Sequence, residues 1–274
     1  MAPKQCAHLS KRKETKLLGP RSDRWRKVQL LTLALSTRDV DAEFYAEFLK
    51  YAVEEGDVYL MECLHHVYGL DADDARAGNN YAFSFAIKAK DVAVLTCLHD
   101  VYGLDADDAR IEDNHALKSA AYKGDVALLK CLHDVYGLRV NDARANNNQA
   151  LLLAISEGHV EVVKALHGVF GLDASDMREN DYNAFLYAAE NRSVDMLECL
   201  HDVYGLGPED ARVQNNKALK YATYEYDVDM LECLRDVYHL TRQDAIDVLE
   251  GPVHYFSDEA LQCLSKMYQC DLQI

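Results

Sequence analysis

No stretch of eighteen uncharged apolar residues occurs in the 274-residue chain; the longest candidate, 28–35, is far too short to cross a bilayer. The first 27 residues are polar and basic, so the apolar region of a secretory leader is missing. Together these absences read as an intracellular protein, cytoplasmic or nuclear. No Gly-x-Ser-x-Gly, glycine-rich phosphate loop or His-Glu-x-x-His is present, and carboxylates are scattered along solvent-facing positions. Nothing in that pattern supports catalysis, so the expectation is a protein that is not an enzyme and that takes no cofactor and no small-molecule substrate.

What is present is an uneven charge. Residues 1–27 hold nine Lys or Arg against Glu14 and Asp23, a net +7; with −17 for the whole chain, residues 28–274 carry −24. An acidic body of that size repels phosphate backbones, so the body is not expected to bind nucleic acid, and it suits a basic partner better. Within the tail, Lys11-Arg12 and Arg24-Trp25-Arg26-Lys27 are separated by eleven residues. That resembles a bipartite nuclear import signal carried by Lys11, Arg12, Arg24, Arg26 and Lys27; the alternative is a disordered basic tail that adds solubility or anchors on acidic surfaces.

The apolar residues, 49% of the chain, are organised by a period. Gly69, Gly103, Gly137, Gly171 and Gly205 are 34 residues apart, and Cys-Leu-His-Asp-Val-Tyr-Gly-Leu stands at both 97–104 and 199–206. Each unit reads as two helices and a polar connector. A first helix near 116–123 is followed by Asp or Ser at 57, 91, 125, 193, 227 and 257, whose side chains can cap a second helix. Val126, Leu129, Leu132, Val135 and Tyr136 then form one apolar face, which only a neighbouring unit can bury. Gly137 with Leu138 closes that helix. In the connector, Asp105, Asp173, Thr241 and Ser36 stand three residues before Asp108, Asp176, Asp244 and Asp39, and Pro208 takes a first helical position, so a short helical turn is predicted. The Asn or Asp pairs at 79–80, 113–114, 147–148 and 215–216 suit a left-handed turn into the next first helix.

Ala150-Leu151, Ala154 and Gly158-His159-Val160-Glu161-Val162-Val163-Lys164 with Leu166 resemble the ankyrin repeat. The other units match more weakly. The Thr-Pro-Leu-His opening is replaced by forms such as His115-Ala116-Leu117-Lys118, and the connector reads as helical rather than as a β-hairpin. Lys90, Arg192 and Tyr226 replace the glycine between helices, at a cost of about 1 kcal/mol each if φ is positive there. The chain resembles the diverged ankyrin arrays of large DNA viruses and protists. Tetratricopeptide and pentatricopeptide units share a similar period, but need two longer helices with short turns. The resemblance implies an all-α solenoid of stacked helix-turn-helix repeats. The expected layout is a tail at 1–27, an N-terminal cap unit at 28–68, about five full repeats at 69–238 and a truncated cap at 239–274.

Six cysteines fall in one column, at 63, 97, 131, 199, 233 and 263, with Ala165 filling the gap. Equivalent positions on packed helices stand about 8–10 Å apart, beyond the reach of a disulfide or a shared zinc, so they read as small buried packing residues and no metal is expected. The histidine column at 65, 99, 133, 167 and 201 falls under the same argument.

Ankyrin arrays bind other proteins along a concave side lined by their first helices. Carried over, the columns at i, i+4 and i+7 are Tyr81, Phe85, Lys88; His115, Ser119, Tyr122; Gln149, Leu153, Ser156; Asn183, Tyr187, Glu190; and Lys217, Tyr221, Tyr224. Unlike the core columns these vary from unit to unit, as a surface fitted to an irregular partner would. The expected function is a protein-binding scaffold for a partner of basic character. Two alternatives are self-association as a structural component, and delivery of substrates to a ubiquitin ligase, for which no F-box-like segment is apparent.

Overall fold

The computed structural model describes residues 42–250 and 256–270, with side chains described for all of these except 42–45 and 180–183. The basic residues at 11, 12, 24, 26 and 27, the capping pair Ser36 and Asp39, and the Gly251-Pro252 break lie outside the described residues. The described residues are helical and contain no strand. They fall into two compact units that divide between Leu104 and Asp105.

In the first unit, α1 (Ala42–Glu54) packs on α2 (Val58–Tyr68) and α3 (Ala72–Ala89), and α4 (Val92–Asp100) packs on both α2 and α3. Leu49, Val53, Met61, Leu64, Phe83, Ile87, Leu95 and Leu98 form the core. Asp57 and Asp91 cap α2 and α4 as their spacing predicts, accepting from the backbone N–H of Leu60 and Val94.

The second unit repeats one module. The short turns α5 (Ala106–Ala109), α8 (Val140–Ala143) and α13 (Pro208–Ala211) precede the first helices α6 (Ile111–Tyr122), α9 (Ala145–Ser156) and α14 (Val213–Tyr224). In the remaining repeat the turn and first helix run together as α11 (Ala174–Glu190). The second helices are α7 (Val126–Asp134), α10 (Val160–Ala165), α12 (Val194–Tyr204) and α15 (Val228–Asp236). The stack ends on α16 (Arg242–Leu249) and α17 (Asp258–Tyr268). First helices pack on first helices and second on second, so each repeat buries its apolar face against its neighbours.

The predicted helical connector is present, and its carboxylates do more than the capping-box spacing implied. Asp142, Asp176, Asp210 and Asp244 each accept the backbone N–H three residues earlier, at 2.7–2.8 Å. Each also receives two bonds from an arginine of the preceding repeat: Arg110, Arg144, Arg178 and Arg212, with Nε to Oδ1 at 2.7–2.8 Å and Nη2 to Oδ2 at 3.0–3.3 Å. A ladder of forked ion pairs thus ties successive connectors of this unit together. Burial pushes the Asp142, Asp210 and Asp244 carboxyls up, but the arginine and the backbone N–H outweigh it, and the net shift of each is downward.

The turn after the connector is tighter than an Asn pair predicts. Three successive residues are left-handed in each case: Glu112–Asn114, Asn146–Asn148 and Gln214–Asn216, with Gly78–Asn80 in the first unit. Asn and Asp tolerate this backbone, whereas Glu112 and Gln214 do not favour it. Anchoring by the buried third residue offsets the strain: Asn148 donates from Nδ2 to the Asp176 carbonyl at 3.2 Å and to Glu179 Oε2 at 2.7 Å. The residues standing where glycine separates the helices, Lys90, Arg192 and Tyr226, are left-handed with φ of 60°, 56° and 54°.

A second ladder runs behind the helices. Tyr204 and Tyr238 are buried and donate their hydroxyls to the carbonyls of Val163 and Leu197, 41 residues back, at 2.8 and 2.6 Å; Tyr102 does the same to Met61 within the first unit at 2.7 Å. Phe170 interrupts the series and closes a π-helical turn, Leu166–Phe170.

Candidate partner-binding face

The residues with chemical potential are absorbed by packing. Cys97, Cys131, Cys199 and Cys233 are buried, and burial pushes the Cys97 and Cys233 thiols up to about 11 and about 12. The histidine column follows its neighbours. Where Asp comes next, Nδ1 of His99, His133 and His201 donates to it at 2.7–2.9 Å; where it does not, His65 and His167 donate to the carbonyls of Leu70 and Leu172 at 2.7 Å. Among the described residues no group of three or more His, Cys, Asp or Glu is arranged to hold a metal, and no helix is long and apolar enough to cross a membrane.

The variable columns of the first helices contribute the open surface. In the second unit α6, α9, α11 and α14 lie side by side, because Ala116, Leu117, Ala150, Leu151, Ala184, Phe185, Ala218 and Leu219 are buried between them or against the second helices. The opposite positions remain accessible. His115, Tyr122, Gln149, Ser156, Tyr187, Glu190 and Tyr224 are exposed, while Ser119, Leu153, Lys217 and Tyr221 are half-buried. The side chain of Asn183 lies outside the described residues. In the first unit Tyr81 and Phe85 are half-buried and Lys88 is exposed.

Two of the tyrosines on this face, Tyr221 and Tyr81, are held by carboxylates of neighbouring helices. Tyr221 donates its hydroxyl to Glu190 Oε1 of the neighbouring first helix. Lys217 stands 5.3 Å from the centroid of the Tyr221 ring and 3.7 Å from Glu190. The first unit has the same arrangement: Tyr81 donates to Glu54 Oε1 at 2.6 Å, Lys50 lies 4.9 Å from its ring centroid, and Phe85 stacks on it at 5.9 Å. The bond to Glu54 pushes the Tyr81 phenol up; burial and Glu190 do the same for Tyr221. The i, i+4, i+7 selection found the tyrosines and missed Glu54 and Lys50 of α1: Glu54 lies one period before Lys88 in the i+7 column, but the selection began only with α3, and Lys50 lies in none of the three columns.

The face ends in a row that the same selection caught only in part. The first helices of the second unit stop at Tyr122, Ser156, Glu190 and Tyr224, with Lys123, Glu157, Asn191 and Glu225 as C-caps. Tyr122 and Tyr224 are 52% and 58% exposed, and Tyr226, in the turn just beyond, is 51% exposed.

A family model described as ankyrin repeats in three copies matches residues 151–244, and a second, ankyrin repeats in many copies, matches residues 117–167. Residues 117–244 are ankyrin repeats. No curated protein and no solved structure matches the chain. The ankyrin segment lies wholly within the second unit and spans the row of first helices described above. Ankyrin repeats are protein–protein interaction modules, which accords with a helical stack whose polar chemistry is taken up in joining one repeat to the next.

Proposed function

We propose that the chain is a non-catalytic scaffold that holds a partner protein against the first helices of its ankyrin repeats. The observation that carries this reading is the contrast between columns. Core positions repeat from unit to unit and are buried, whereas the column Phe85, Ser119, Leu153, Tyr187, Tyr221 and the column Lys88, Tyr122, Ser156, Glu190, Tyr224 change in composition along the chain and remain accessible. Packing requires the first pattern and is indifferent to the second. Tyr221, already held by Glu190, loses little entropy on binding, which favours its use as an anchor.

The test is capture from cell extract with the native chain and two variants: Leu153→Ser with Tyr187→Ser and Tyr221→Ser in the second unit, and Phe85→Ser alone in the first. Circular dichroism and thermal melting first establish that each bait folds. A protein retained by the native chain and lost by the triple variant supports the reading. Equal retention by all three, or retention of further copies of the same chain only, refutes it and makes self-association the better account. For the basic residues at 11–12 and 24–27 the corresponding reading is nuclear import, tested by fusing residues 1–27 to a fluorescent protein and asking whether it accumulates in the nucleus.

A further inference from the structure

We infer that the partner segment gripped by the second unit is arginine-bearing, and that it lies across the C-terminal ends of the first helices. This rests on the reading of the first-helix face as the binding surface, and it adds the chemistry of the occupant.

Three features converge on that row. Tyr122, Tyr224 and Tyr226 place three of the most accessible aromatic rings of the described residues at the ends of α6 and α14 and in the turn after α14. Glu157, Glu190 and Glu225 sit at the ends of α9, α11 and α14, and Glu157 has no ion-pair partner among the described residues. The helix ends carry the partial negative charge of a helix C-terminus, with the Tyr122 carbonyl already accepting from His159 Nε2 at 2.9 Å and the Ser156 carbonyl from Asn191 Nδ2 at 2.8 Å. Two cations lie in the same row. Arg192 stands with Nε 2.7 Å from Asp227 Oδ2 and Nη1 3.8 Å from Glu225, and Lys123 is the C-cap of α6.

An apolar segment laid here would bury Glu157 without a partner and leave Glu225 with only its 3.8 Å contact to Arg192, and an acidic one would meet like charge. A guanidinium satisfies both components: it stacks on a tyrosine ring and forks onto a carboxylate, which an ammonium does only in part. The net charge of −24 on residues 28–274 attracts such a segment from a distance, but does not by itself select this row. Selection must come from the tyrosines, and that separates the proposal from diffuse attraction. The second helices offer the control, since Asp195, Glu198, Asp229 and Glu232 of α12 and α15 are all exposed, with no tyrosine among the exposed residues of those helices.

The experiment is fluorescence anisotropy of labelled nona-arginine and nona-lysine with the full chain, at an ionic strength of about 0.15 M where long-range attraction is screened. Three variants are compared after their melting curves show that they fold: Tyr122→Ser/Tyr224→Ser/Tyr226→Ser, Glu157→Gln/Glu225→Gln, and a back-face variant with Asp195→Asn, Glu198→Gln, Asp229→Asn and Glu232→Gln. The inference expects nona-arginine to bind more tightly than nona-lysine. It also expects both row variants to lose at least fivefold in affinity, and the back-face variant to lose less than either. A smaller loss in either row variant, an equal loss in the back-face variant, no preference for arginine, or no binding by the native chain overturns it. Capture from extract makes no assumption about the partner's charge, so its failure and the failure of this inference are read separately.

Discussion

Replacing Asp210 by alanine removes one rung of the connector ladder, and the structure sets the size of the effect. The carboxylate side chain is 4% exposed and accepts three charge-assisted bonds, from Arg178 Nε at 2.7 Å, Arg178 Nη2 at 3.0 Å and the Gly207 backbone N–H at 2.8 Å. Bonds to a charged group contribute about 1.5–3 kcal/mol, and orphaning one partner of a fully buried pair costs about 3–5 kcal/mol. The Arg178 side chain is 42% exposed and recovers water when its partner goes, so the lower range applies: about 2–3 kcal/mol of lost stability. Chemical denaturation of native chain, Asp210→Ala, Arg178→Ala and the double variant, read by circular dichroism, isolates the coupling. A coupling above about 1 kcal/mol is expected, against less than about 0.5 kcal/mol for Glu209→Ala, whose side chain is 88% exposed in its pair with Arg212. Similar losses for Asp210→Ala and Glu209→Ala would refute the argument that the buried carboxylates join the repeats. The pH dependence follows from the lowered folded-state pKa of Asp142, Asp210 and Asp244. Their contribution is complete above the ordinary aspartate value of 3.8 and is lost as pH falls below it through the lower folded values. The acid denaturation curve of Asp210→Asn is therefore expected to be shallower than that of the native chain below about pH 4.

Tyr226→Gly relieves a left-handed backbone at φ 54° and is expected to raise stability by about 0.5–1 kcal/mol, seen as a higher melting temperature, even as it weakens nona-arginine binding. Tyr238→Phe removes the 2.6 Å bond to the Leu197 carbonyl and leaves the ring in place; denaturant unfolding should show a loss of about 0.5–1.5 kcal/mol, and no loss would mean that the tyrosine ladder is only packing. Gly124→Ala is expected to destabilise by more than about 1 kcal/mol. The new methyl group would meet the His159 ring at 2.7 Å, in a turn at φ 68°, and would displace the Nε2 bond to the Tyr122 carbonyl. Cys97 and Cys233 should resist a thiol reagent at pH 8 until denaturant is added, because burial raises their thiols to about 11 and about 12.

The period and the caps were legible because they are local. An Asp at 57, 91, 125 or 227 needs only its own backbone three residues on, and the structure shows each accepting that N–H. The capping-box spacing likewise announced the helical connector. The left-handed positions of Lys90, Arg192 and Tyr226 followed from their register with glycines at 56, 124 and 158. The aromatic face was half legible. Helical periodicity placed Tyr81, Tyr187 and Tyr221 on one side, but said nothing of which neighbours would hold the hydroxyls of Tyr81 and Tyr221.

What the sequence determined by itself is the repeat, its two helices, its capped connector and the likeness to ankyrin, since all of these depend on interactions within a few residues. Only the tertiary structure decided that the connector carboxylates are shared between neighbouring repeats, Arg144 to Asp176 and Arg178 to Asp210, and that Tyr238 reaches back to Leu197. The third left-handed residue of each turn was decided there too, through the buried anchor at Asn148. A side chain whose partner lies a whole repeat away has its geometry set by how the units stack. The stacking is in turn a property of summed apolar faces, which the order of residues in any single unit does not contain.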